Sequence, residues 1–199
     1  MTDPKTNSIL DEGNRLFLEG KFQQAIVYYD KILDEDPKHI SSLNNKGYSL
    51  SKLKDFTNAM KCYNLALEIC PDDLSVLINK ISSFRKQGNL IEALFICDNI
   101  LKSNSNYNVV LYHKERILFS MNKFDESISC CNRILQDYPA NDDVLFDKAS
   151  NFAMLSNFDD ALDLLERVIY HGIKYKVKAK KSKSFEKLFN NVRFQNLVN

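Results

Sequence analysis

The chain has 199 residues, 44% of them apolar and 27% charged, with a formal net charge of +1. That length suits one domain or one repeat array with a real core, and the composition excludes a disordered chain. The near-zero net charge conceals an asymmetry: residues 174–199 hold seven lysines and one arginine against Glu186 alone, while the remainder has 19 basic against 25 acidic groups.

The N-terminal stretch MTDPKTNSILDEGN lacks the apolar core of a signal peptide, and no segment approaches membrane-spanning length. A cytoplasmic location is expected, where the five cysteines stay reduced. Further along, proline turns at Asp36-Pro37, Cys70-Pro71 and Tyr138-Pro139 are spaced 34 and then 68 residues apart. Cut at that period the chain gives five units, 6–39, 40–73, 74–107, 108–141 and 142–175.

The columns of these units agree in chemistry. In the first half of each unit run Ile9, Leu43, Leu77, Leu111, Leu145 and, seven residues on, Leu16, Leu50, Phe84, Leu118, Phe152. In the second half run Phe22, Phe56, Leu90, Phe124, Phe158, then the small column Ala25, Ala59, Ala93, Ser127, Ala161. Apolar positions recur at helical spacing within each half. Gly20, Lys54, Gly88, Asn122 and Ser156 sit between the halves, mostly residue types that tolerate a left-handed helix end. Each unit is therefore expected to be a helix, a tight turn and a second helix. One such pair cannot bury its own apolar face, so the units must stack.

Over residues 6–175 this pattern resembles the tetratricopeptide repeat family, through the small residues Gly13 and Gly47, the alanine column, Tyr29 and Tyr63, and the prolines. The resemblance implies an all-α, right-handed helical-repeat solenoid of antiparallel helix pairs. Three departures stand out. Ser105 replaces the proline of the third unit, Ile81 and Glu115 occupy the Gly/Ala position, and Ile173 replaces the last proline. A carboxylate at a close helix contact is costly if buried unpaired, so Glu115 must tilt outward or find a partner.

Residues 176–199 are expected to form a basic C-terminal helical cap over the last unit, since a stacked array leaves its final helix uncovered. Phe185, Leu188, Phe189 and Val192 make one helical stripe, and Phe194, Leu197 and Val198 another that points nearly the opposite way. Two short helices broken near Asn190-Asn191 fit this better than one amphipathic membrane helix. A similar closing segment ends other arrays of the family, and the matching residues are Gly172, Phe185, Leu188, Arg193, Phe194 and Leu197. The lysines of KYKVKAKKSKS (174–184) then form the solvated face of the cap.

No phosphate-binding loop, paired-carboxylate site or metal-ligand spacing is present. Cysteines 62, 97, 130 and 131 fall in apolar columns, as small buried hydrophobes do. No enzymatic activity, cofactor or metal is expected. In the resembling family the first helices line a concave groove that binds ligands, and the matching residues include Asn14, Asn45, Tyr48, Asn79, Tyr112, His113, Arg116, Phe119 and Phe146. The asparagines suit an extended peptide backbone, having donor and acceptor together. Tyr112, His113, Arg116 and Phe119, with Phe146 one unit on, form a patch of hot-spot residue types, although Phe119 and Phe146 fit packing equally well. Of the family's carboxylate clamp only the asparagines are matched, Asn14 and Asn45; its basic positions hold Leu10, Ser75 and Asn79. The lysine column Lys46, Lys80, Lys114, Lys148 is expected to be a solvated stripe.

The expected function is that of a non-catalytic adaptor or scaffold binding a peptide or helix of another protein in the groove. Two alternatives stay open: an RNA- or anionic-surface-binding repeat using the basic end, and a self-associating array.

Overall fold

Ten helices of similar length alternate with tight turns. They are α1 (Pro4–Leu18), α2 (Phe22–Glu35), α3 (Ile40–Lys52), α4 (Phe56–Ile69), α5 (Leu74–Gln87), α6 (Leu90–Ser103), α7 (Asn108–Ser120), α8 (Phe124–Asp137), α9 (Asp142–Met154) and α10 (Phe158–His171). A shorter C-terminal set follows: α11 (Ile173–Lys181), a 3-10 helix (Lys183–Leu188) and α12 (Val192–Val198). The computed structural model describes residues 4–103, 105 and 107–199, and among the described residues there is no strand. Two compact units make up the chain, Met1–Ile96 and Cys97–Asn199.

The turn inside each pair is the same backbone motif five times over. Gly20, Lys54, Gly88, Asn122 and Ser156 all have positive φ, between 59° and 89°. The next residue's N–H reaches back to a carbonyl five positions earlier, as from Lys21 to Leu16, Asp55 to Leu50, Asn89 to Phe84, Lys123 to Leu118 and Asn157 to Phe152, each at 2.9 Å. This is the left-handed helix ending that satisfies otherwise orphaned carbonyls. Asn122 is a residue type that tolerates it, whereas Lys54 and Ser156 adopt it despite carrying a Cβ, so there the paired helices hold a conformation these residues disfavour.

Between pairs the proline turns do the complementary work. His39, Asp73 and Asn141 follow them and cap α3, α5 and α9, accepting from the N–H groups of Ser42, Val76 and Val144. Such caps are each worth about 1 kcal/mol. Tyr107 holds the same place before α7 with no side-chain cap.

Within the pairs a small residue faces a large one. A Cβ on Gly13 would stand 2.8 Å from the Tyr29 ring, and one on Gly47 2.7 Å from the Tyr63 ring. Ile81 and Glu115 fill the glycine column in the third and fourth pairs, and there the tyrosine column holds Cys97 and Cys131. All four are buried. In the fourth pair, where Glu115 and Cys131 lie in one unit, a larger residue in the glycine column goes with a smaller one in the tyrosine column, so the departure is half of a compensated one.

The lysine column is not simply a solvated stripe. Lys46 pairs with Asp30 at 2.5 Å and Lys114 with Asp98 at 2.6 Å, and Lys80 donates to Asn64 at 2.7 Å. Each partner lies 16 residues earlier on the preceding second helix, so these three lysines join consecutive helix pairs, while Lys148 lies over Phe152 of its own helix.

The C-terminal segment begins earlier than 176, because α10 stops at His171 and α11 starts at Ile173. Tyr175 and Ala179 of α11, Phe185 and Leu188 of the 3-10 helix, and Phe194 and Val198 of α12 are buried in one cluster with Phe146, Ala149, Leu162 and Leu165. Phe189 and Val192 are 39% and 71% exposed, contrary to the stripe expected for them. In a 3-10 helix residues i and i+3 eclipse, so the buried row is 185 and 188 and does not continue to 189. Asn191 then starts α12 by accepting from Phe194 N–H, which ends the stripe before Val192.

Candidate partner-binding surface on the first helices

In the unit Met1–Ile96 the polar side chains of α1, α3 and α5 meet through their amides. Asn14 Oδ1 accepts from Tyr29 Oη at 3.0 Å and from Asn45 Nδ2 at 2.9 Å. Asn79 Nδ2 donates to Asn44 Oδ1, also at 2.9 Å. These bonds fix the orientation of four amides and leave half of each one over. Asn14 and Asn44 keep their Nδ2 donors, and Asn45 and Asn79 keep their Oδ1 acceptors, none of them among the buried unpartnered atoms. Tyr48, half-buried, lies against Phe17 with ring centroids 5.1 Å apart.

In the unit Cys97–Asn199 the first helices look different. The Arg116 guanidinium lies over the Tyr112 ring at 4.2 Å, donates to the Tyr112 hydroxyl, and donates to Asp147 Oδ2 at 3.1 Å. The other oxygen of Asp147 has Lys178 of α11 at 3.8 Å. Tyr175 Oη donates to Asp143 at 3.1 Å, and Lys174 stands 3.9 Å from the same carboxylate. Phe119 packs edge-on against Phe124 at 5.4 Å, and His113 is half-buried.

Phe146 corrects the expectation of an exposed aromatic patch. It is 2% exposed, stacked on Tyr175 at 5.7 Å, edge-on to Phe185 at 5.6 Å, and covered by Lys178 at 4.1 Å from its centroid. Its place in the groove column is filled by the chain's own C-terminal segment. Of the aromatic–arginine grouping that resembles a hot spot in sequence, Tyr112 and Arg116 are tied to Asp147, and Phe146 is packed under the C-terminal segment.

The basic tail is correspondingly less free than its charge suggests. Lys174 and Lys178 face carboxylates, Arg193 donates to Asp163 and Glu166 at 2.7 Å each, and Lys187 donates to Ser156 at 3.1 Å. Among the described residues, Lys176, Lys180, Lys181 and Lys183 have no ion-pair partner.

Glu115 does find partners rather than tilting out. It is 2% exposed, and Oε1 accepts from Ser127 Oγ at 3.2 Å and from Asn151 Nδ2 at 3.5 Å. Ser127 is the one residue in the small column able to do this. Oε2 of Glu115 and Oδ1 of Asn151 are both buried acceptors without a donor. Protonation of Glu115 removes the cost of burying a charge on a carboxylate of which one oxygen accepts from no donor. Burial first, then the charge of Asp147, pushes its pKa up to about 7, against the pull of Ser127 and Arg116. The thiols of Cys97 and Cys130 are raised to about 12 and about 11, mainly by burial, which keeps them protonated and unreactive. Among the described residues, no three His, Cys, Asp or Glu side chains are placed to hold a metal ion.

A family model described as the tetratricopeptide repeat matches residues 40–73. No curated protein sequence matches the chain. Among solved structures, a tetratricopeptide repeat protein from Parabacteroides merdae superposes with a TM-score of 0.74 at 19% identity, covering 99% of this chain and 84% of that one. YrrB, described as a TPR protein with an unusual peptide-binding site, gives 0.66 at 18% identity, over 87% of this chain and 91% of its own. MamA gives 0.68 at 16%, over 89% and 95%. No described helix is long and apolar enough to cross a membrane. Residues 40–73 thus match the tetratricopeptide repeat, and the chain as a whole shares the all-helical fold of these repeat proteins.

Proposed function

We propose that the chain is a non-catalytic protein-interaction module of five repeats and a C-terminal cap. It binds an extended segment of a partner protein across α1, α3 and α5, and acts in the cytoplasm as an adaptor. The observation that carries this is the amide network of Asn14, Asn44, Asn45 and Asn79, which leaves two donors and two acceptors over. A polypeptide backbone has that alternation of N–H and C=O, and the fixed amides meet it without losing rotamer freedom on binding. The peptide-binding site of YrrB, a protein of like fold, is in keeping with this reading.

Peptide display against the full chain tests it. Peptides selected on the wild type should bind Asn14→Ala/Asn45→Ala at least about tenfold more weakly, the equivalent of about 1.4 kcal/mol. Tyr112→Ala should bind them as well as wild type. Equal binding by the asparagine variant would place the site elsewhere.

A further inference from the structure

Two lysines at the C-terminal ends of α3 and α5 converge on one aromatic ring. Lys52 Nζ lies 5.2 Å and Lys86 Nζ 5.6 Å from the Tyr48 centroid, with Phe17 against the same ring. Neither lysine has an ion-pair partner among the described residues. Lys86 is held below the usual lysine range, by burial first and then by the charges of Lys52 and Arg85. Two other first-helix lysines are met by an acid, Lys46 by Asp30 and Lys114 by Asp98, and Lys148 lies alone over the Phe152 ring, so it is the convergence of two lysines on one ring that sets this place apart. The negative end of each helix accounts for one lysine on each. It does not account for two mutually repelling ammoniums sharing a ring with no carboxylate between them.

We infer that this cluster sets specificity and that the partner segment is acidic, with an aspartate or glutamate side chain seated between Lys52 and Lys86 beside Tyr48. The inference rests on the proposed function: the backbone of that segment crosses the asparagine amides, and the acid is read at their end. Leu18 occupies the column of the two lysines on α1 and is 84% exposed, which offers an apolar neighbour of the acid a place to rest. A peptide fits better than a nucleic acid. The asparagine strip is uncharged, whereas a phosphate backbone carries a charge at every residue and calls for a cationic track.

Random ten-residue peptides displayed against the full chain provide the test, with Lys52→Glu/Lys86→Glu and the neutral Lys52→Gln/Lys86→Gln alongside. The wild type should select peptides rich in Asp and Glu. A synthesised member of that pool should bind the reversed variant at least about tenfold more weakly, with the neutral variant in between. The reversed variant should itself select peptides rich in Lys and Arg. A wild-type pool without acidic enrichment, or an unchanged pool on the reversed variant, overturns the inference. If that pool is still lost on Asn14→Ala/Asn45→Ala, the backbone-binding function survives without the acidic preference. If the wild type selects no peptide, both fail, and if a 12-nucleotide oligouridylate binds instead and is lost on the reversed variant, the ligand is nucleic acid. Both lysines are exposed, so circular dichroism should show the variants folded.

Discussion

The first helices of the two units carry the same columns and use them in opposite ways. Asn44 and Phe146 share a column, as do Asn45 and Asp147, and Tyr48 and Arg116. In the unit Cys97–Asn199 these positions close on one another and on α11: Arg116 and Lys178 take the two oxygens of Asp147, and Phe146 lies beneath Tyr175 and Phe185. In the unit Met1–Ile96 the amides are only half satisfied and the lysines beside Tyr48 lack an acid. Aromatic and arginine content alone does not identify a binding surface. What identifies one is hydrogen-bonding and charge capacity that the fold itself has not consumed.

The strongest way to break this comparison is to treat the shared column alike in both units. Phe146→Ala should cost about 3–5 kcal/mol, because it empties the centre of the C-terminal cluster. Asn44→Ala, at the equivalent place, should change stability by less than about 1 kcal/mol. Urea denaturation of both variants decides it, and comparable losses would mean that the first unit's face is structural as well.

A second contrast is in pH. Glu115 occupies the column of Gly47, and its folded-state pKa lies above its ordinary 4.5, at about 7. The folded chain therefore holds that proton more tightly than the unfolded chain. Stability from this group is greatest below about pH 4.5 and declines as pH rises through about 7, by roughly 3 kcal/mol in total. Asp147, Arg116, Ser127 and Asn151 face it throughout. Glu115→Gln, which keeps the shape of the side chain and is neutral throughout, should flatten that decline in melts between pH 5 and 8. A variant as pH-dependent as wild type would show that Glu115 is not the titrating group.

How much of this was legible in the sequence follows from the range of each interaction. The turn at residues 20, 54, 88, 122 and 156 is local and repeats five times, so its left-handed backbone could be read even where Lys54 or Ser156 replaces glycine. The break at Asn190-Asn191 is legible for the same reason, whereas the exposure of Phe189 and Val192 is not, because α-helical spacing does not hold where the chain is 3-10. Among the site residues, the burial of Phe146 depends on a tertiary contact with Tyr175 and Phe185 that no periodicity encodes. Lys52 and Lys86 had a visible signal, since they share a column and Lys52 is four residues beyond Tyr48. Charge at a helix end is common enough that only their convergence gives it meaning.

The smallest expected effect concerns the turn both units share. Lys54→Gly should stabilise the chain by about 0.5–1 kcal/mol by relieving a left-handed conformation at φ 66°. Gly20 already has the permissive residue there, and Gly20→Lys should cost a similar amount in thermal melts.

On the proposed function the ligand is bound by α1, α3 and α5 and not by α7 and α9. Side-chain amide NMR of the full chain during titration with a display-selected peptide tests it most directly. The Nδ2 signals of Asn14, Asn44, Asn45 and Asn79 should shift together and saturably while those of Asn108 and Asn151 stay in place. Shifts confined to Asn108 and Asn151, with the four asparagines of the first unit unmoved, would contradict it.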